Sequence, residues 1–252
     1  MKANWKFALM CAAALAFVAC NTPEPNPNPD PDPEPQPGEY VNPISVTDNS
    51  IADWDKLDAN FVFEAKCPDD GTYLGLKKIK VYADAYYINV IAEYDPEEIP
   101  NHESVPFHFY FNTDNSDATG GYGDEFLDAN TDILMEGFFF AGEEGSGVGE
   151  ACAYEPVIVP WTAEVGGSGW GWGDELVPSA PCVASQHVAG NMVEMQFIRE
   201  LVPTLVGWNE DEFGVGCDIQ QSWESVGILP LISPTDENAT GHAHKLQVKI
   251  KK

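Results

Sequence analysis

Positive charge is what this chain has least of. Lysine and arginine number 12 against 41 aspartate and glutamate, and the formal net charge at pH 7 is -29. So acidic a surface repels phosphate backbones and anionic surfaces, which excludes nucleic acid as a partner and leaves cations as the favoured small ones. Helical periodicity is nearly missing too. The stretch "RELVPTLVG", Arg199 to Gly207, has room for one short turn before Pro203, and no other segment sustains a period of 3.6. A helix bundle is thereby excluded. Catalytic signatures are also wanting: there is no Gly-x-Ser-x-Gly elbow, no His-Glu-x-x-His helix and no phosphate-binding loop. Asp124, Glu125 and Glu136 could serve as paired acids in glycoside hydrolysis, but a chain this rich in carboxylates supplies such pairs everywhere. The expectation is a protein that binds and does not catalyse.

Cysteine is sparse, with 6 in the chain and no Cys-x-x-Cys among them, so zinc held by thiolates is not expected. Cys11 and Cys20 fall in an N-terminal segment that reads as a targeting signal: Lys2 and Lys6 precede an apolar run, Phe7 to Ala19, that is short for a bilayer span. Its end, "FVAC", resembles a bacterial lipobox, in which the cysteine becomes the first mature residue and carries the lipid; Phe17 stands where leucine is usual. Residues 1–19 are then a lipoprotein signal peptide and Cys20 the lipidated residue, anchored in the outer membrane and exposed at the cell surface. From Asn21 to Glu39, proline recurs at nearly every second position, which removes backbone donors and keeps the chain extended. Residues 20–40 are expected to be an acidic stalk. Cys67, Cys152, Cys182 and Cys217 remain in the body; four thiols in an oxidising compartment allow two disulfides, with buried free thiols as the other reading.

The body, 41–252, is of a size for one domain, and its periodicity is two. In "KKIKVYADAYYINVIAEYD", Ile79, Val81 and Ala83 alternate with polar neighbours, "DA" allows a tight turn, and Ile88, Val90 and Ala92 alternate again: a hairpin. "VPFHFYFN" sets Phe107, Phe109 and Phe111 on a core face and His108, Tyr110 and Asn112 on the other. "DILMEGFFF", "EPVIVPWT", "NMVEMQFIR" and "KLQVKIKK" are further strands, the last with Leu246, Val248 and Ile250 inward. An all-β fold follows, expected as an antiparallel two-sheet β-sandwich.

The order of these pieces resembles family 9 carbohydrate-binding modules and the wider superfamily that includes dopamine-monooxygenase N-terminal-like (DOMON) domains. "ISVTDNSIADWDKLD" is similar to the family's Ile-x-Val-Asp-Gly-x-Ile-x-Asp-Trp opening, matching it at Ile44, Val46, Asp48, Ile51, Asp53 and Trp54. Asn49 stands in the glycine's place, and asparagine tolerates the left-handed conformation that the turn needs. "YYINV", "FHFYFNTDNSDATGGY" and "WESVGILP" resemble later pieces of the same pattern. The resemblance implies a jelly-roll-like sandwich, a glycan ligand and a structural calcium ion.

Four constellations are candidates for a site. "TDNSDATGGYGDE", Thr113 to Glu125, is too irregular for an EF-hand, since Asp117 and Gly123 stand where Gly and Glu are required. A looser calcium site from Asp114, Asp117 and Asp124, assisted by Asn115 or Glu125, competes with a solvated acidic hairpin tip. "LDANTDILMEG" repeats the alternation, and Asp128 or Asp132 completes a shared site if the sheet returns past the first loop. In "GGSGWGWGDE", Trp170 and Trp172 either pack at the rim or stack on sugar faces, with Tyr122 a further displayed aromatic. Trp161, Trp208 and Trp223 read as core. "GHAH", with His242 and His244, is either a transition-metal pair or solvated. The function expected is a surface-anchored carbohydrate-binding lipoprotein; an adhesin, pilus-like or complex-assembly lipoprotein that binds other proteins is the alternative.

Overall fold

The structure, a computed structural model, describes residues 40–67, 75–99, 105–121, 130–139, 151–152, 154, 156–176, 182–188, 191–221, 224–231 and 245–252. The signal segment, Cys20 and the stalk lie outside the described residues. Contacts gather Asn42–Lys252 into one compact unit.

Among the described residues the chain makes strands β1 (Val62–Lys66), β2 (Leu76–Asp84), β3 (Tyr87–Tyr94), β4 (Val105–Asn112), β5 (Ile133–Phe139), β6 (Ala151–Cys152), β7 (Val157–Pro160), β8 (Cys182–Val188), β9 (Met192–Ile198), β10 (Glu212–Gln221), β11 (Glu224–Leu229) and β12 (Leu246–Lys251). Helix is confined to single 3-10 turns at Trp54–Lys56, Ala59–Phe61 and Arg199–Leu201, the last just before Pro203 as the pattern predicts. Among the described residues no helix is long and apolar enough to cross a membrane.

The fold is all-β, as expected. Hydrogen bonds draw one continuous path, β6-β8-β9-β3-β2-β12-β10-β4-β5-β7, with β1 on β2 and β11 on β10. Neighbours pair antiparallel except at one junction, where β12 meets β2 in parallel through Ile250↔Ala83 and Lys251↔Asp84. The sheet curls there. Phe109 of β4 and Phe197 of β9 are well separated along that path, yet their rings lie 5.9 Å apart.

Alternation places the core. Ile79, Val81 and Ala83 of β2, Ile88, Val90 and Ala92 of β3, and Val193, Met195 and Phe197 of β9 face Phe107, Phe109 and Phe111 of β4 and Phe213, Val215 and Ile219 of β10. Truncating one such phenylalanine to alanine costs about 3–5 kcal/mol. The β2–β3 turn has a local cause: Asp84 Oδ1 accepts from the backbone of Tyr86 at 2.8 Å and Tyr87 at 2.9 Å. Val248 and Ile250 are buried inward as predicted, and Leu246 packs beside them. Among the described residues there is no disulfide. Cys217 is a buried thiol whose pKa burial pushes well up, and the side chains of Cys152 and Cys182 are outside those described.

The other face of β2, β3 and β9 is covered by the segment that opens the body. Ile44, Val46 and Trp54 bury against Tyr82 and Ile91, with Ile51 and Leu57 packed around them. Asn49 sits at φ 58, the left-handed value the motif's glycine position demands. Asp53 receives the Ser45 amide at 3.2 Å and pairs with Lys56 at 2.7 Å. Beneath the strap, Glu194 is fully buried and accepts from Trp54 Nε1 and Gln186 Nε2, each at 2.6 Å. Burial raises the Glu194 pKa, and those two donors pull it back. Trp54→Phe keeps the apolar cover but removes one donor from a buried carboxylate. It should cost about 1.5–3 kcal/mol, read as a lower urea midpoint; an unchanged midpoint would show that the strap does not depend on this bond.

Candidate functional site

At the end of β4 the chain must turn while leaving no backbone group stranded, and side-chain amides and carboxylates do that work. Asn112 Oδ1 accepts the Ser116 amide and Asn112 Nδ2 donates to the Ser116 carbonyl, both at 3.2 Å. Asp114 accepts from the Ser116 amide at 3.0 Å and from Thr119 Oγ1 at 3.0 and 2.9 Å. Asn115, at φ 56, ties the loop to the adjoining strands: its Nδ2 donates to Glu212 at 2.9 Å and its Oδ1 accepts from Gln247 at 2.8 Å.

The chain does return past this loop. Gly121 and Thr131 exchange backbone hydrogen bonds of 3.0 and 2.6 Å, and Asn130 Nδ2 donates to the Asp117 carbonyl at 2.7 Å. Asp132 is thereby brought under the loop, where one oxygen, Oδ2, accepts from the Thr113 amide at 2.6 Å, from Thr113 Oγ1 at 3.1 Å and from the Asp114 amide at 3.5 Å. Among the described residues its other oxygen and Asn130 Oδ1 are buried acceptors without a donor. Burial, then the charge of Asp114, pushes the Asp132 pKa up to about 6. Asp132 is thus joined to the loop through the Thr113 and Asp114 amides, and Asn130 through the Asp117 carbonyl. Asp117 does not join them: its side chain is 88% exposed and lies 3.7 Å from Lys245. Among the described residues no group of three or more His, Cys, Asp or Glu side chains is arranged to hold a metal. Tyr122, Asp124, Glu125, Asp128, Trp223, His242 and His244 lie outside the described residues.

The tryptophan stretch belongs to the same end of the sheet. Trp161 donates its amide to the Asp132 carbonyl at 2.8 Å, and Gly166 donates to the Gly120 carbonyl at 2.9 Å. A Cβ on Gly121 or Gly171 would stand 2.1 or 2.3 Å from the Trp161 ring, so both positions are glycine because that ring passes against their backbone. Trp172 meets Trp161 edge-on, centroids 5.2 Å apart, and joins Tyr110, Leu134 and Ile228 in a satellite core. Trp170 alternates with Trp172 in sequence but not in fate: Trp172 is 9% exposed and Trp170 is 72% exposed. Trp161 is buried in that satellite core, and Trp208 is half-buried against the main core, donating to the Val202 carbonyl at 3.0 Å. Leu205 and Val206 are exposed in a loop whose Thr204 hydroxyl lies 3.0 Å from that of Thr113.

A further group escapes a reading by pattern. His108, on the β4 face away from the main core, is 3% exposed and sits between Glu136 of β5 and Asp218 of β10. Burial drives its pKa down to about 4 and raises that of Glu136. The signal for this row is cross-strand register, which no single segment carries. Comparison of the chain with protein-family models, curated proteins and solved structures finds no match.

Two of these groups oppose each other on acidification. His108 has a depressed pKa, so its stabilising share is full above about pH 6.5 and is lost as pH falls towards 4. Asp132 has a raised pKa, so the fold gains from its protonation as pH falls through about 6. In chelated buffer, His108→Gln should lose less stability than the parent between pH 7 and 4, and Asp132→Asn should lose more. Urea midpoints shifting in the same direction for both variants would contradict the assignments.

Proposed function

We propose that this is a lipid-anchored outer-membrane protein, held through Cys20 and an acidic stalk, whose curled sheet is a two-sheet jelly-roll-like sandwich that binds carbohydrate without catalysis. The observation that carries the reading is Trp170, 72% exposed on a glycine-rich loop whose base is clamped by Trp161 and Trp172. A large flat ring displayed on a preorganised base offers contact area at little ordering cost, and the apolar faces of pyranose rings are its match. Exposed Glu164, Asp174 and Glu175 beside it favour uncharged over acidic glycans.

A structural calcium ion fits the acidic loop. Asp132 and Asn130 each offer a buried oxygen that lacks a donor, and Asp114 lies against them. Hard oxygen donors of this kind suit calcium, which would brace the two loops that support Trp170. Asp124 and Asp128 are further oxygen sources from the same two segments of the sequence.

The exposed Leu205 and Val206 favour a second reading, a complex-assembly, pilus-like or adhesive lipoprotein that docks another surface protein. A glycan array with and without calcium separates the two. Trp170→Ala should weaken glycan binding about tenfold or more, equivalent to about 1.4 kcal/mol, with no change in melting temperature. A silent array together with a stable partner in a surface pull-down would replace the carbohydrate reading. Calcium should raise the melting temperature of the parent but not of an Asp114→Asn, Asp132→Asn double variant; equal shifts would remove the ion from this loop. Cys20→Ala should abolish labelling by a fatty-acid analogue and release the protein from the membrane fraction.

A further inference from the structure

Glu136, His108 and Asp218 stand directly opposite one another on β5, β4 and β10, so backbone pairing rather than a loop fixes their spacing. Asp218 Oδ2 is 3.7 Å from His108 Nδ1 and accepts from Gln220 Nε2 at 2.8 Å. Glu136 Oε2 is 3.8 Å from His108 Nε2, too far for a hydrogen bond, and Nε2 has no hydrogen-bond partner among the described residues. A buried ring nitrogen without a partner forfeits its hydration, and such groups mark a catalytic role or the place of a water or an ion.

The ring is neutral at physiological pH because burial disfavours its charge. The two ring nitrogens stand 3.7 and 3.8 Å from carboxylate oxygens of Asp218 and Glu136, both beyond hydrogen-bond reach. In the tautomer with the proton on Nδ1, towards Asp218, the Nε2 lone pair and the Glu136 carboxylate oppose each other with no hydrogen between them. A cation relieves this. Imidazole selects zinc or copper over calcium and magnesium, and ligands at about 2.0–2.2 Å from one ion can stand as far apart as these two. Carboxylate, histidine and metal in line is the usual arrangement for fixing the tautomer of a metal-bound imidazole.

We propose that His108 Nε2 and the Glu136 carboxylate bind a divalent transition-metal ion of the zinc or copper class on the outer face of β4 and β5, with Asp218 orienting the imidazole. The site is distinct from the acidic loop and independent of the carbohydrate reading. The Glu136 side chain is 33% exposed, which gives the ion a way in from solvent. Two ligands from the chain leave the remaining positions to water or to oxygen atoms of a bound molecule.

The chain has 5 histidines, so the test must tell them apart. In nitrogen-edited NMR of the full chain labelled in its histidine rings, the His108 ring is the one whose resonances vanish in His108→Gln, and its low pKa should keep it neutral to about pH 5. One equivalent of zinc should shift the Nε2 resonance of that ring. His108→Gln should lose this binding, and a His242→Gln, His244→Gln double variant should keep it. Glu136→Gln should weaken it at least tenfold. Asp218→Asn should weaken it about 10- to 100-fold and move the ring towards the Nε2–H tautomer, which a merely structural change would not do. Zinc that shifts only the other histidine rings and leaves that of His108 untouched would overturn the proposal and assign the gap to a bridging water. If His108→Gln fails to fold, the parent spectra decide the matter.

Discussion

Ile250 and Lys251 of β12 pair in parallel with Ala83 and Asp84 of β2, and through those two pairs the hydrogen bonds of one half of the sheet continue into the other. The rest of the molecule depends on that seam. With it in place the sheet can curl until β4 and β9 face each other, and the Phe107, Phe109, Phe111 row meets Phe197, Met195 and Val193 in one dry core. Each half covers the apolar face of the other, a burial worth about 25 cal/mol for every square ångström removed from water.

Curling buries one face of every central strand and leaves the opposite face to be covered by something else. On β2, β3 and β9 the cover is the strap from Asn42 to Leu57. On β4, β5 and β10 it is the Trp161–Trp172 loop, seated on Tyr110, Leu134 and Ile228. Polar residues are buried on both outer faces, with different outcomes. Beneath the strap, Glu194 has the Trp54 and Gln186 donors, and Gln196 donates to Asn89 at 2.6 Å. On the other side, His108 Nε2 has no hydrogen-bond partner among the described residues. The first arrangement is closed by its donors, and the second leaves a buried nitrogen unsatisfied.

Much of this was legible in the residue pattern where one strand face carries large side chains. β2, β3, β4, β9 and β12 alternate cleanly and were readable, as was the Asn49 turn. β10 was not, although it pairs with β4, β11 and β12, because Gly214 and Gly216 stand where its outer face would otherwise show a pattern. The convergence of Asp132 on Thr113 was legible only as a condition on the path of the sheet, and the structure meets it. Trp170 and Trp172 share a two-residue spacing, but the stretch bends and only Trp172 bridges to Trp161, so alternation could not separate them. The His108 row needed three strands in register and was invisible to any local reading.

The parallel seam also bears on how the chain reaches this shape. Its two partners lie near opposite ends of the body in chain order, so the closing contact is among the most non-local the fold contains. Contacts of that kind form late, since the entropy of bringing distant segments together must be met before they return any stability. β2 and β3 can pair with each other through a two-residue turn, whereas the strand that ties them to β10 lies at the far end of the chain. A sheet closed in this way is expected to form more slowly than one built from hairpins alone.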